Sequence, residues 1–200
     1  MPERIPVWKR VLRFILTALL SIALITVFYV AVMIGQPQPN AEASASPLPE
    51  QPLLSPLPAA IRITSEQDLP VLSENFPARI IRPQYGDALI FVEGVCSDAA
   101  YEGGLGRIVT LTYRTADFST VTLSSIYPSR AIDLMGKGDY RFSSMPVQTV
   151  AQLRAVPMEN STTLRLHAQS SDALYILTFP RVATDVLRTW ITPLQLFSGE

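Results

Sequence analysis

From Phe14 to Gly35 the chain carries no charged side chain, and Leu, Ile, Val, Ala, Phe and Met fill nearly every position. A helix of that length, rising ~1.5 Å per residue, reaches roughly 33 Å and matches the hydrocarbon core of a bilayer. The sequence therefore predicts a transmembrane helix over residues 14–35. Arg4, Lys9, Arg10 and Arg13 precede it against Glu3 alone, and no Lys or Arg follows until Arg62. Basic flanks stay on the cytoplasmic side. The expected topology is single-pass in the cell membrane, with residues 1–13 a cytoplasmic basic tail and the C-terminal domain extracytoplasmic. Ala41-Glu42-Ala43 has the small-x-small form of a cleavage site. The apolar run is longer than the roughly 7–15 residues of a secretory signal, so an uncleaved signal-anchor is expected. With no Asp, Glu, Lys, Arg or His inside it, the span offers no ion path or proton relay.

Residues 36–60 hold prolines at positions 37, 39, 47, 49, 52, 56 and 58. Proline removes backbone donors and fixes φ, so this stretch enters neither a helix interior nor a central strand. It reads as a proline-rich linker favouring an extended polyproline-II path. Leu48, Leu53, Leu54 and Leu57 either rest on the folded domain or meet a partner groove; a plain stalk is the simplest reading. Basic tail, span, linker and exported domain together form a layout that resembles bacterial single-pass envelope proteins, membrane-bound anti-sigma factors among them. The tail of about thirteen residues is too short for a sigma-binding domain of the usual globular size.

Residues 61–200 form the expected extracytoplasmic domain, with 12 basic and 14 acidic side chains. That balance argues against nucleic acid, which requires a concentrated basic face. Period-two alternation marks strands with one buried face. In Arg107–Arg114, Val109, Leu111 and Tyr113 oppose Thr110, Thr112 and Arg114; in Thr120–Tyr127, Val121, Leu123 and Tyr127 oppose Thr122 and Ser124. Pairing Arg114 with Thr120 brings Tyr113 to Val121 and Leu111 to Leu123, so the apolar faces coincide. A second hairpin joins Thr162–Ala168 to Ala173–Phe179. Pairing Gln169 with Asp172 places Leu166 opposite Tyr175 and Leu164 opposite Leu177. Arg165 and His167 then share the other face with Ile176 and Leu174.

Ala88–Val95, Asp139–Ser144 and Thr149–Val156 read as further strands, and Gly103–Gly106 and Met135–Gly138 as turns. Val186, Leu187, Trp190, Ile191 and Leu194 trace a helical stripe starting near Ala183 or Thr184 and limited by Pro193. Packing Trp190 across the sheet is its simplest use. The expected fold is α+β: a transmembrane helix, then a mainly antiparallel β-sheet domain with a C-terminal helix packed on it.

Chemistry is sparse. His167, the single histidine, sits on a predicted strand surface, and no Gly-x-Ser-x-Gly elbow accompanies it. One His and one Cys cannot supply a usual zinc set, so neither metal nor other cofactor is expected. Cys96, with Phe91, Val92 and Val95 nearby, reads as a buried thiol. Gly103-Gly104-Leu105-Gly106 lacks the Gly-Lys-Ser/Thr of a phosphate loop.

The reading these residues favour is a non-enzymatic, membrane-anchored binding or structural module of the cell envelope. Its partner would be an envelope protein, a wall polymer or a lipid, with the face bearing Arg165 and His167 as the candidate binding face. The domain alone is expected to be monomeric. The alternative is an envelope-localised hydrolase whose non-contiguous site includes His167, with Asp172 and a serine.

Overall fold

The computed structural model describes residues 54–84, 88–136 and 138–199. The basic tail, the 14–35 span and linker residues 36–53 lie outside the described residues. No helix among those described is long and apolar enough to cross a membrane.

Strict alternation builds most of the domain. The strands are β1 (Ile61–Ile63), β2 (Ile80–Pro83), β3 (Ile90–Tyr101), β4 (Gly104–Arg114), β5 (Thr120–Tyr127), β6 (Arg141–Phe142), β7 (Gln148–Val150), β8 (Leu153–Glu159), β9 (Thr163–Gln169), β10 (Leu174–Pro180) and β11 (Leu194–Phe197). Two short helices, α1 (Leu69–Glu74) and α2 (Thr184–Ile191), accompany them. Nine strands make one antiparallel sheet in the order β1-β3-β4-β5-β10-β9-β8-β6, with β7 also on β8; β11 and β2 form a separate pair. The domain is therefore mostly antiparallel β-sheet.

The β4–β5 hairpin has the register its alternation dictates: Arg114 faces Thr120, Tyr113 faces Val121 and Leu111 faces Leu123. The β9–β10 hairpin is displaced by two residues from the expected pairing. Leu166 faces Leu177 and Leu164 faces Phe179, while His167 faces Ile176 and Arg165 faces Thr178. The cause is the turn. Ser170 Oγ accepts from the backbone N–H of both Asp172 and Ala173, and Ser170 N–H donates to the Ala173 carbonyl. This lengthens the loop to Ser170–Ala173. An even displacement leaves every side chain on its expected face, so the burial pattern survives.

Other boundaries move for local reasons. β3 runs on through Cys96 to Tyr101, and Gly104–Gly106 belong to β4, so the turn between them is only Glu102-Gly103. The expected 149–156 strand is split by Ala151 and Gln152, both at positive φ (49° and 66°), the conformation of a two-residue hairpin turn. Of 139–144 only Arg141–Phe142 pairs.

One face of the main sheet is sealed. Leu111, Leu123, Leu166, Leu177, Tyr175 and Phe179 point into the main core, which α1, the β2–β11 pair and α2 cover. Gly94 shows how closely the cover sits: a Cβ there would meet Leu72 of α1 at 2.8 Å and Ile63 at 2.9 Å. Trp190 of α2 is 7% exposed and stacks on Phe179, centroids 6.0 Å apart. The helix ends at Ile191, and Leu194 starts β11 rather than extending the stripe; Val186 stays exposed.

The end of the proline-rich stretch is part of this cover. Leu54 and Leu57 pack against the core. Arg107, whose side chain is 7% exposed, binds Asp98 through Nε at 2.6 Å. It also donates to the carbonyls of Asn75 and Ser55, both at 2.7 Å, and Leu57 N–H donates to Asp98 Oδ2 at 2.6 Å. Every arm of the buried guanidinium thus has an acceptor, which offsets the cost of removing both charges from water.

Candidate functional site

The same alternation that seals one face directs hydroxyls to the other. Across the strands one row reads Glu93, Thr112, Thr122, Thr178, Arg165 and Met158. The next reads Val95, Thr110, Ser124, Ile176, His167 and Val156. Neighbours within a row are ~4.8 Å apart and the rows about 7 Å apart, as strand geometry requires. Thr110 Oγ1 and Ser124 Oγ lie 3.1 Å apart and share a hydrogen bond. All of Thr110, Thr112, Thr122, Ser124 and Thr178 remain partly exposed.

This face is open only in part. The segment after β5 folds back over one end, where a 3-10 turn at Ile132–Met135 places Leu134 and Met135 against Ile108, Ile126, Leu174 and Ile176. Gly106 permits that approach, since a Cβ there would meet Leu134 at 2.7 Å. Beyond the turn, Tyr140 lies under Arg165, the guanidinium carbon 4.0 Å from the ring centroid. Tyr140 is fixed in turn by its hydroxyl, 2.8 Å from Thr163 Oγ1. Arg165 Nη1 reaches the Met135 carbonyl at 3.5 Å, whereas Arg165 Nε is buried without a hydrogen-bond partner among the described residues. His167 Nε2 is in the same state. Burial, and then the charge of Arg165, push the His167 pKa down, so its imidazole is neutral at neutral pH.

Arg165 and His167 therefore share one face, as their spacing requires, at the boundary between the covered and the open parts of the sheet. The strands direct Arg62, Arg114, Arg154 and Arg165 to this face and only one carboxylate among the described residues, Glu93, which pairs with Arg62 at 3.1 Å. The strand residues of this face thus carry more basic than acidic side chains, while the segment folded over it adds the exposed carboxylates of Asp133 and Asp139. The hydroxyls of Thr110, Thr112, Thr122 and Ser124 are visible in the sequence as the polar half of two strands. Their continuation through Thr178 to Arg165 is not, because β5 and β10 are neighbours only in space.

His167 makes no hydrogen bond to Asp172 or to any serine among the described residues. Asp172 borders a cavity of about 320 Å³ on the sealed side, with Ser73, Arg79, Ser170 and Tyr175 among its lining residues. Arg79 also lines a larger cavity of about 550 Å³, with Gln84, Gln152 and Gln195. Neither includes a histidine. Among the described residues no three His, Cys, Asp or Glu side chains group as metal ligands. Cys96 is fully buried and unpaired. Burial, helped by Asp98 and opposed by Arg107, raises its thiol to about 11 and keeps it protonated.

No family model matches the chain, and no curated protein or solved structure matches it either.

Proposed function

We propose that the chain is a single-pass, membrane-anchored module of the cell envelope whose extracytoplasmic domain binds a partner through the open face of its main sheet. The observation that carries this reading is the asymmetry of that sheet. One face is sealed by two helices and a strand pair, while the other displays the hydroxyls of Thr110, Thr112, Thr122, Ser124 and Thr178 beside Arg165 and His167. Partly exposed polar and charged residues held side by side on a sheet suit binding better than packing. The uncharged 14–35 stretch and its basic flank support the anchor and its orientation.

Two measurements on the full chain in its native membrane test the proposal. A single cysteine introduced at exposed Asp117 should react with a membrane-impermeant thiol reagent from outside the cell. Labelling only in inverted vesicles would reverse the topology. A photo-crosslinking residue at Thr122 should give a discrete adduct that the same residue at exposed Glu74 on α1 does not. Equal adducts from both positions would remove the open face as the site.

A further inference from the structure

The two rows also specify the kind of ligand that fits them, an inference that rests on the open face being the binding site. Four cavities formed by described residues are lined by members of neither row. Small ligands are normally engulfed in concave sites, so a regular strand array outside these cavities suits an extended partner that touches several strands at once. Each Thr or Ser hydroxyl both donates and accepts, and repetition at ~4.8 Å along a row suits a ligand that itself repeats hydroxyl groups.

Charge narrows the class further. With Glu93 paired to Arg62, Arg165 within the first row, Arg114 one pair beyond Thr112 and Arg154 at the opposite, covered end of the sheet stand on this face without a carboxylate from its strands. Of the Arg165 guanidinium nitrogens, Nη1 reaches only the Met135 carbonyl, at 3.5 Å. Guanidinium forks match carboxylate and phosphate oxygens. We propose that the Thr112–Thr122–Thr178–Arg165 row and its neighbour bind an acidic, polyhydroxylated polymer, an envelope glycan carrying carboxylate or phosphate groups, laid across the strands.

The test uses the full chain in nanodiscs of uncharged lipid, with three soluble probes: polygalacturonate for carboxylate, poly(glycerol phosphate) for phosphate, and dextran as a neutral polyol. The chain should bind at least one acidic polymer about tenfold or more tighter than dextran, with affinity falling as salt rises. Arg114→Gln combined with Arg154→Gln changes two exposed side chains and should weaken acidic-polymer binding about tenfold. Thr122→Val with Thr178→Val should weaken it without altering the salt dependence. Which acidic polymer prevails identifies the anionic group.

Equal affinity for dextran and the acidic polymers would overturn the ligand class, as would indifference to the arginine pair. Binding to vesicles of phosphatidylglycerol in place of either polymer would transfer the site to a lipid surface and overturn it too. If neither polymer binds but the Thr122 crosslink persists in native membranes, the ligand class falls and the binding face stands. If the crosslink is also lost, both fall.

Discussion

The two faces of the main sheet are made from the same strands, yet they meet different surroundings. On the sealed face Leu111, Leu123, Leu166 and Leu177 are fully buried. Their opposite numbers Thr110, Thr122 and Thr178 keep part of their surface in water. Each face has one glycine where a covering segment comes close, Gly94 beneath Leu72 and Gly106 beneath Leu134. On the sealed side the cover extends over the whole core; on the other it reaches Ile176 and Arg165 and leaves Thr110, Thr112, Thr122, Ser124 and Thr178 partly in water. The difference separates two outcomes of one alternating pattern: stability is drawn from one face, and part of the other stays in water.

The comparison is tested most severely at Trp190. Trp190→Ala removes a buried ring stacked on Phe179 and should cost ~3–5 kcal/mol in urea unfolding. Thr122→Val on the opposite face should stay within about 0.5 kcal/mol. Similar losses for both would erase the distinction between the faces.

The clamp at the end of the linker comes next. Arg107→Met leaves the Ser55 and Asn75 carbonyls without their donor and Asp98 with the Leu57 N–H alone. The loss should approach, without exceeding, the ~3–5 kcal/mol of breaking a fully buried pair, because Asp98 is 15% exposed. Acid sharpens the same point. Burial alone would raise the Asp98 carboxyl, but hydrogen bonds from Arg107 and Leu57 N–H, with the Arg107 charge, hold it below its ordinary value. Its contribution is present above the unfolded pKa near ~3.9 and is lost as pH falls through the lower folded value. Asp98→Asn should be less stable at pH 7 and lose less on acidification below about pH 4. A wild-type acid limb in that variant would show that the clamp does not couple linker to sheet.

Thiol chemistry distinguishes the faces without an unfolding curve. Cys96 should react with a thiol reagent only on unfolding, since its native thiol titrates at about 11 and is enclosed. A Thr122→Cys thiol, measured in a Cys96→Ala background, should react from the native state. Native reactivity of Cys96 would breach the sealed face.

The smallest effect belongs to His167. Its folded pKa lies below the unfolded value near ~6.5, so protonation opposes folding; stability is full above that value and declines as pH falls toward the folded pKa. His167→Gln should remove this decline and be otherwise close to neutral. An unchanged pH profile would mean that the imidazole is better hydrated than its burial implies.

Much of the sheet was legible because alternation is a local property. Tyr113 and Val121 pair as their patterns require, joined by a short loop in which Thr115 N–H and Oγ1 both donate to the Ser119 carbonyl, Phe118 N–H donates to the Thr115 carbonyl, and Thr115 Oγ1 bonds Asp117. The second hairpin shows the limit: Ser170 built a longer turn and moved the pairing by two residues, which altered every partner and no face. Short elements gave weaker signals. β1, β2, β11 and α1 are three to six residues long, too short for a period to declare itself, and their order comes from the core they cover. The candidate site was half visible. Arg165 and His167 were on a recognisable polar strand face, but nothing local linked them to Thr178, Thr122 and Thr112.

What this sequence determines by itself is which residues face together within a strand, because side chains alternate along an extended backbone whatever lies beside it. It also determines that residues 14–35 are apolar enough to be expelled from water along their whole length. Only the tertiary structure decides which strands are neighbours, where Arg107 finds its carbonyls, and how far the cover over the second face extends. Those depend on contacts between residues distant in sequence, whose energies appear only once the chain between them has been ordered.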